Sequence, residues 1–427
     1  MMVGIVCVLM LVLYVLNVPI AFALIASSLV YFLFADNLTA MILVQRMIGG
    51  IESFPLLAVV FFVTAGVLIN YSGIMSRLMN FAQVAAGHLP GGLAQVNVLL
   101  SALMGGMSGS NLADAAMQSK ILVPEMVKKG YPKAFSAALT AASSLITPII
   151  PPGIALILYG YVGNVSIGKL FMAGVIPGIL LTALMMIAVY LISKRRNFAP
   201  ENPGPPKPKE FFAAAKHAVW ALLLPVFVIG GIRLGVFSPT EAGAMAVVYA
   251  LLLGLIVYRQ MKAAQLPKML VESVHTTASV LIIIASASVF SWILTIERVP
   301  HQLTEFVVRQ IGSPSMFLLA VLLFLLFAGL FLEGNVLIII LTPMLVPMAV
   351  SYGIDPVHFG IVVIVALSIG TLTPPLGTIL FVTCSVTGTK IEHFLKEVLP
   401  FYGVLLLLLL LVTYVPIISL FLPNLLF

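Results

Sequence analysis

The chain has 427 residues, of which 62% are hydrophobic and 8% charged, and its formal net charge is +7. Apolar runs near 20 residues recur from end to end, more than a soluble core needs, so the chain reads as an all-α polytopic membrane protein. No P-loop, GxGxxG, GxSxG or metal-ligand spacing occurs, which excludes ATP-driven, dinucleotide or hydrolytic chemistry of those kinds, and the loop-clustered cations read as membrane orientation rather than nucleic-acid binding.

In chain order, residues 1–72 read as N-terminal scaffold spans, with 3–34 either one long tilted span or two spans meeting near Pro19. Cys7 here, like Cys384 later, sits in an apolar run without a CxxC partner and reads as a packing residue. Residues 73–196 form a first repeat unit. It holds an amphipathic arm with Arg77 and His88, a hairpin over 92–127, a broken helix over 134–162 and a span over 170–193. The hairpin arms are about 15 residues each, or ~22 Å, short of the ~30 Å hydrocarbon core. With the polar "SGSN" between them they read as a re-entrant hairpin, open to the cytoplasm because its exit "VKKGYPK" is basic. The broken helix is interrupted by "TPIIPPG".

Residues 197–216, containing "ENPGPPKPKE", read as a Pro-rich cytoplasmic linker. Scaffold spans are expected over 217–274, and "FSPTEAGA" within them has the form of a capping box on Ser238, Pro239 and Glu241. Residues 275–427 form the second repeat unit: a span over 279–296, an arm with Arg298 and Arg309, a hairpin over 314–350, a broken helix over 357–386 and a span over 400–423. Trp220 and Trp292 read as interface or packing aromatics. The two units match at an offset of roughly 224 residues, "LVPEMVKKGYP" with "LVPMAVSYGIDP" and "TPIIPPG" with "TLTPPLG". Placing the cationic loops in the cytoplasm gives the units opposite orientation, an inverted repeat with two re-entrant helical hairpins and two discontinuous helices.

Irregular backbone at membrane depth is tolerated where it lines a cavity or is buried in protein. Its freed carbonyls can hold a cation, and half-helix N-termini can hold an anion. The cation candidates of the first unit are Ser108, Gly109, Ser110, Asn111, Thr147, Pro148 and Gly153. Those of the second are Glu333, Gly334, Asn335, Gly370, Thr371, Thr373 and Gly377. Substrate candidates are Ser108, Asn111, Asp114, Pro151, Pro152, Pro374 and Pro375. Neutral hydroxyl, amide and carbonyl oxygens suit Na⁺ better than a transition metal, so two or more Na⁺ ions are expected, with no organic cofactor. Asp114 is a functional candidate as an intramembrane carboxylate, or else a charge that offsets the helix dipole.

At "GGMSGSNLADAA", at the "LVPEMVKKGYPKAFSAALTAASSLITPIIPPG" that follows, and at "SPTEAGA", the chain resembles the large membrane subunit of tripartite ATP-independent periplasmic (TRAP) transporters, DctM/SiaM type. The resemblance covers essentially the whole chain and leans to the sialic-acid branch, with C4-dicarboxylates next. It implies a Na⁺-driven importer of organic acids in a bacterial inner membrane, working by an elevator-type movement. It also implies two partners, a small four-helix membrane subunit and a periplasmic substrate-binding protein. Carried over residue by residue, the family's ion and substrate region falls on residues 108–111, 147–153, 333–335 and 371–377. The alternative is a one-component Na⁺- or H⁺-coupled carboxylate carrier, or an ion antiporter, of the same architecture. No enzyme activity is expected, since no Ser/His, Asp/Asp or HExxH arrangement lies within the spans.

Overall fold

A computed structural model describes residues 2–35, 39–202, 204–375 and 377–427. Pro203 of the expected linker and Leu376 of the second helix break lie outside them. Among the described residues every regular element is helical.

Helices α1 (Met2–Val15) and α2 (Ile20–Phe34) are joined by a turn in which Asn17 takes φ 63 and Pro19 precedes the second helix. They pack on one another. α3 (Ala40–Ile51) and α4 (Leu56–Ser72) form a pair bent by 57°. The amphipathic α5 (Ile74–Ala86) leads into α6 (Gly92–Ser108) and α7 (Asn111–Lys128). α8 (Lys133–Ser143) tightens into a 3₁₀ turn, breaks, and resumes as α9 (Ile154–Val162), after which α10 (Ile167–Arg196) is long and apolar.

α11 (Pro208–Arg233) begins inside the expected linker. Pro208 at the first helical position loses no intrahelical bond there, and the helix formers after it carry the turn forward. The linker thus ends at Lys207 rather than at residue 216. α12 (Pro239–Leu252) starts on the expected capping box: Glu241 N–H donates to Ser238 Oγ at 3.2 Å, and Ser238 N–H to Glu241 Oε2 at 2.7 Å. α13 (Leu266–Ile296) runs across the boundary expected at residue 274 and is longer than the span expected over 279–296. Trp292 on it packs at 5.8 Å from the Phe32 ring, and the Arg46 guanidinium stands 5.0 Å from its ring centroid.

α14 (Val299–Gln310) is followed by α15 (Pro314–Gly329), α16 (Gly334–Ser351), α17 (Pro356–Gly370) and α18 (Thr378–Thr387). The last stretch is two helices, α19 (Ile391–Tyr414) and α20 (Ile417–Leu426), where a single span over 400–423 was expected. Pro416 is the reason: it drives the preceding residue out of helical geometry, and Val415 sits at φ −123, ψ 79. Among the described residues six helices are long and apolar enough to cross a membrane, seven if the bent α3–α4 pair counts as one span.

Two packing groups emerge. α4 lies along α12, with α13 against α2, α3 and α4. In the other group the two halves trade helices. α7 packs on α18 while α16 packs on α9, and α8 packs on α19 while α17 packs on α10. Exchanging α7 with α16, α9 with α18, α8 with α17 and α10 with α19 maps each of these pairs onto the other. That is the signature of an approximate two-fold relation between the units.

Candidate functional site

The two hairpin tips are built differently from similar parts. Gly109 at φ 59 ends α6 in the left-handed region and turns the chain into α7. Ser110 caps α7, its Oγ accepting from the Ala113 N–H at 3.4 Å. Asn111 Oδ1 accepts the Leu112 N–H at 2.9 Å. At the second tip the cap is a carboxylate: Glu333 Oε2 accepts from the Val336 N–H at 3.4 Å, and Oε1 from Asn335 Nδ2 at 2.7 Å. α16 therefore starts at Gly334, and Gly334 and Asn335 are its first residues.

The breaks lie against the tips. Within residues 147–153, Pro148, Pro151 and Pro152 remove three N–H donors, so the helix ladder cannot continue. The Pro151–Pro152 and Pro374–Pro375 bonds are cis. The Ile154 N–H donates to the Gly109 carbonyl at 3.3 Å, and a Cβ on Gly109 would stand 2.5 Å from the Pro152 oxygen. Only glycine lets the tip sit this close to the break. In the second half, the Ile379 N–H donates to the Thr371 carbonyl at 3.0 Å, and the Tyr402 hydroxyl to the Leu372 carbonyl at 2.8 Å. The hydroxyls of Thr371 and Thr373 turn back on the carbonyls of Ser368 and Ile369, at 2.7 and 2.9 Å.

Both tips and both breaks meet at one cavity of about 30 Å³. The first half contributes Gly109, Ser110, Asn111 and Pro148 to its wall, and the second Glu333, Gly334, Asn335 and Thr371. A water needs roughly 10–15 Å³ of such space, so ions or waters fit as it stands. An organic acid requires the tips and breaks to part. No Lys, Arg or His lines it among the described residues. Ser108, Asp114, Thr147, Pro151, Pro152, Gly153, Gly370, Thr373, Pro374, Pro375 and Gly377 are not in its wall. Sequence reasoning overlooked Ile154, Ala155, Ile338, Ile364, Leu367 and Ser368, which complete it. Ser368 was within reach, since it lies three residues before Thr371 and so on the same helical face.

Behind the first tip runs a fully buried polar chain that the sequence reading also missed. Thr147 Oγ1 donates to Asp114 Oδ2 at 2.9 Å, and Gln118 Nε2 donates to Asp114 Oδ1 at 2.7 Å and to Ser101 Oγ at 2.8 Å. Ser101 continues to Ser143 at 3.1 Å, Ser143 to Asn97 Oδ1 at 2.7 Å, and Asn97 Nδ2 to Thr140 Oγ1 at 2.7 Å. All seven residues have 0% exposure. The signal was present: Asn97 with Ser101, Asp114 with Gln118, and Thr140 with Ser143 and Thr147 lie at helical spacing within apolar segments. Asp114 therefore faces its own half and not the cavity.

The family profile described as "Tripartite ATP-independent periplasmic transporter, DctM component" matches residues 7–418. The chain is 41% identical over 409 residues to the sialic acid TRAP transporter large permease protein SiaM of Vibrio cholerae, covering 96% of this chain and 95% of that protein. It is 41% identical over 375 residues to the C4-dicarboxylate TRAP transporter large permease protein DctM of Pseudomonas aeruginosa, covering 87% of each. Among solved structures, the YdaH transporter of Alcanivorax borkumensis superposes with TM-score 0.64 at 14% identity, covering 92% of this chain and 97% of the other. That likeness concerns the fold.

Proposed function

The chain belongs to the DctM-component family of tripartite ATP-independent periplasmic transporters, and on that premise we propose that it carries an organic acid anion across the bacterial inner membrane by Na⁺-coupled secondary active import. The substrate class is sialic acid or a C4-dicarboxylate. A small membrane subunit and a periplasmic binding protein that delivers the substrate complete the system.

The shared cavity carries this reading. Four helix N-termini start at or beside it, those of α7, α9, α16 and α18. Each directs the partial positive charge of its N-terminus toward a carboxylate held there. The opposing ends of α6, the 3₁₀ turn 144–146, α15 and α17 leave carbonyls free for a monovalent cation. One place thus offers cation and anion chemistry without a fixed positive side chain. Bound Na⁺ supplies the charge that an acidic substrate lacks there, so loading of the two is mutually favourable.

In this reading α6–α7 and α15–α16 are re-entrant hairpins of inverted repeats. The helices that trade partners between halves form the moving domain, and α4, α12 and α13 belong to the static frame. Movement as one body keeps the cavity intact while it changes side, as an elevator does.

The test is uptake into proteoliposomes holding this chain, with its small subunit and a substrate-loaded binding protein outside. Labelled sialic acid or succinate is expected to enter only with inward Na⁺. Equal uptake when choline replaces Na⁺ overturns the coupling. Uptake without any binding protein favours a one-component carrier.

A further inference from the structure

A cavity of about 620 Å³ opens between α3 and α13, far larger than the one between the tips. Gln45, Arg46, Gly49 and Gly50 of α3 form one wall, and Ser288 and Trp292 of α13 the other. Offsets of one, four and five residues keep the α3 set on a single helical face. The exposed apolar residues Met41, Val44, Ile48 and Ile51 lie on a separate face of α3. Arg46 thus turns toward the cavity and away from the side that suits lipid tails.

Two contacts set the geometry. A Cβ on Gly50 would overlap Ser288 Oγ, so glycine lets α3 lie directly on α13. The Arg46 guanidinium stands over the Trp292 ring, 5.0 Å from its centroid. Stacking occupies the face of the guanidinium and leaves the N–H donors in its plane for an acceptor. Among the described residues Arg46 enters no ion pair, and no carboxylate lines the cavity. An arginine so placed in a membrane-embedded helix marks the position of a missing counter-charge. The Gln45 amide and the Trp292 indole add further N–H donors to the walls. Such walls suit an oxyanion, a carboxylate or a phosphate, which a guanidinium holds with two parallel bonds.

The cavity also adjoins the path of the moving domain. Thr240 Oγ1 donates to the Phe54 carbonyl at 3.0 Å, which ties the α3–α4 bend to the start of α12. α12 runs from there toward the cationic stretch 259–268, so the bend lies at the outer side. The Tyr161 hydroxyl of α9 donates to the Gly50 carbonyl at 3.0 Å. Ile154 and Ala155, at the other end of α9, line the cavity between the tips, ~10 Å away at 1.5 Å per residue. An outward stroke of about that length brings them beside Gly50, one helical turn from Arg46.

We propose that the cavity between α3 and α13 is an oxyanion site in which Arg46 receives a carboxylate of the transported acid at the outer side, before the acid passes to the tips. This deepens the proposed function and rests on its elevator reading. Arg46 supplies on the frame the fixed positive charge that the moving cavity lacks. Because it stays behind, that charge captures the acid without having to cross the membrane with it.

The test places this chain and its small subunit in nanodiscs of neutral phosphatidylcholine. The chain has two tryptophans, and Trp220→Phe leaves Trp292 as the single reporter. Succinate or sialic acid, at constant ionic strength and without Na⁺, is expected to change Trp292 emission saturably. Glycerol is expected to leave it unchanged, and Arg46→Gln to abolish the response. In proteoliposomes Arg46→Gln is expected to raise the half-saturating concentration of loaded binding protein roughly tenfold, the loss of one charge-assisted hydrogen bond, with the half-saturating Na⁺ concentration unchanged. Arg46→Lys is expected to fall between. If Arg46→Gln does not fold, the acid titration of the Trp220→Phe protein and the Arg46→Lys uptake decide.

No emission response to the acids, or one retained in Arg46→Gln, overturns the site and leaves the transport reading standing where Na⁺-driven uptake persists. A response to phosphatidylglycerol in the nanodisc but not to the acids overturns the acid as ligand and gives the site to a lipid phosphate. A response that disappears when the small subunit is added overturns it as well, because the cavity is then a subunit contact. Wild-type uptake of these acids that ignores Na⁺ overturns the coupling itself, whatever Trp292 reports.

Discussion

Gly329 and Gly370 touch backbone to backbone: a Cβ on Gly370 would stand 2.6 Å from the Gly329 Cα, and one on Gly329 would stand 2.9 Å from the Gly370 Cα. The two glycines let α15 cross α17 beside the second tip, which fixes how closely that tip can approach the second break.

Gly370→Ala should therefore force α15 off α17. Overpacking of this kind costs about 1–3 kcal/mol, and the shift falls where the cavity wall is made by Thr371 and Gly334. The expected outcome is a lower unfolding midpoint together with a loss of uptake larger than the loss of folded protein. Uptake that simply tracks the amount of folded protein would show that the crossing does not shape the site.

Asn111→Ala changes a residue in the cavity wall whose Oδ1 caps the next backbone N–H. Na⁺ activation of uptake should weaken, with a half-saturating Na⁺ concentration several-fold above wild type. Thr373→Ala should have the smaller effect of the two, because its hydroxyl already bonds the Ile369 carbonyl and lies outside the wall. Na⁺ activation curves for both variants that overlay the wild type would count against the cation assignment at the tips.

Glu333→Ala removes the side chain that accepts the Val336 N–H and holds the Asn335 amide. Loss of an N-cap costs about 1 kcal/mol. The second tip should fray, seen as faster hydrogen exchange at the start of α16 with the start of α7 unchanged. Equal exchange at both tips, or at neither, would contradict the capping role.

Ser238→Ala is the contrasting case. Its hydroxyl accepts the Glu241 N–H at the start of α12, and no residue of α12 lines the cavity. A loss of about 1 kcal/mol in stability is expected, with the half-saturating Na⁺ concentration unchanged. A shift in Na⁺ dependence would mean that the frame is coupled to the site more tightly than its packing indicates.

Much of the architecture was readable because apolar runs and proline punctuation are local. "FSPTEAGA" announces the capping box that Ser238 and Glu241 form. The reading failed where a proline had two possible meanings. Pro208 looked like part of a Pro-rich linker and in fact starts α11, because a proline is harmless at the first helical position. Pro416 looked like part of a span and in fact divides α19 from α20, because the residue before it cannot stay helical. Asp114 was legible as an unusual carboxylate but not in its direction. Its partners Thr147 and Ser101 come from other helices, and sequence spacing does not report which faces meet.

The sequence by itself determined the membrane class, the positions of the tips and breaks, and the repeated order of motifs, since each follows from hydrophobicity and backbone chemistry within a few residues. Tertiary structure alone decided that Asn111, Pro148, Asn335 and Thr371, more than 200 residues apart at the extremes, line one cavity, and that Asp114 turns away from it. The physical reason is that such placement depends on how helices from the two halves pack across one another. Packing is set by the shapes of whole faces, above all where glycine lets two backbones touch, and no local pattern encodes that.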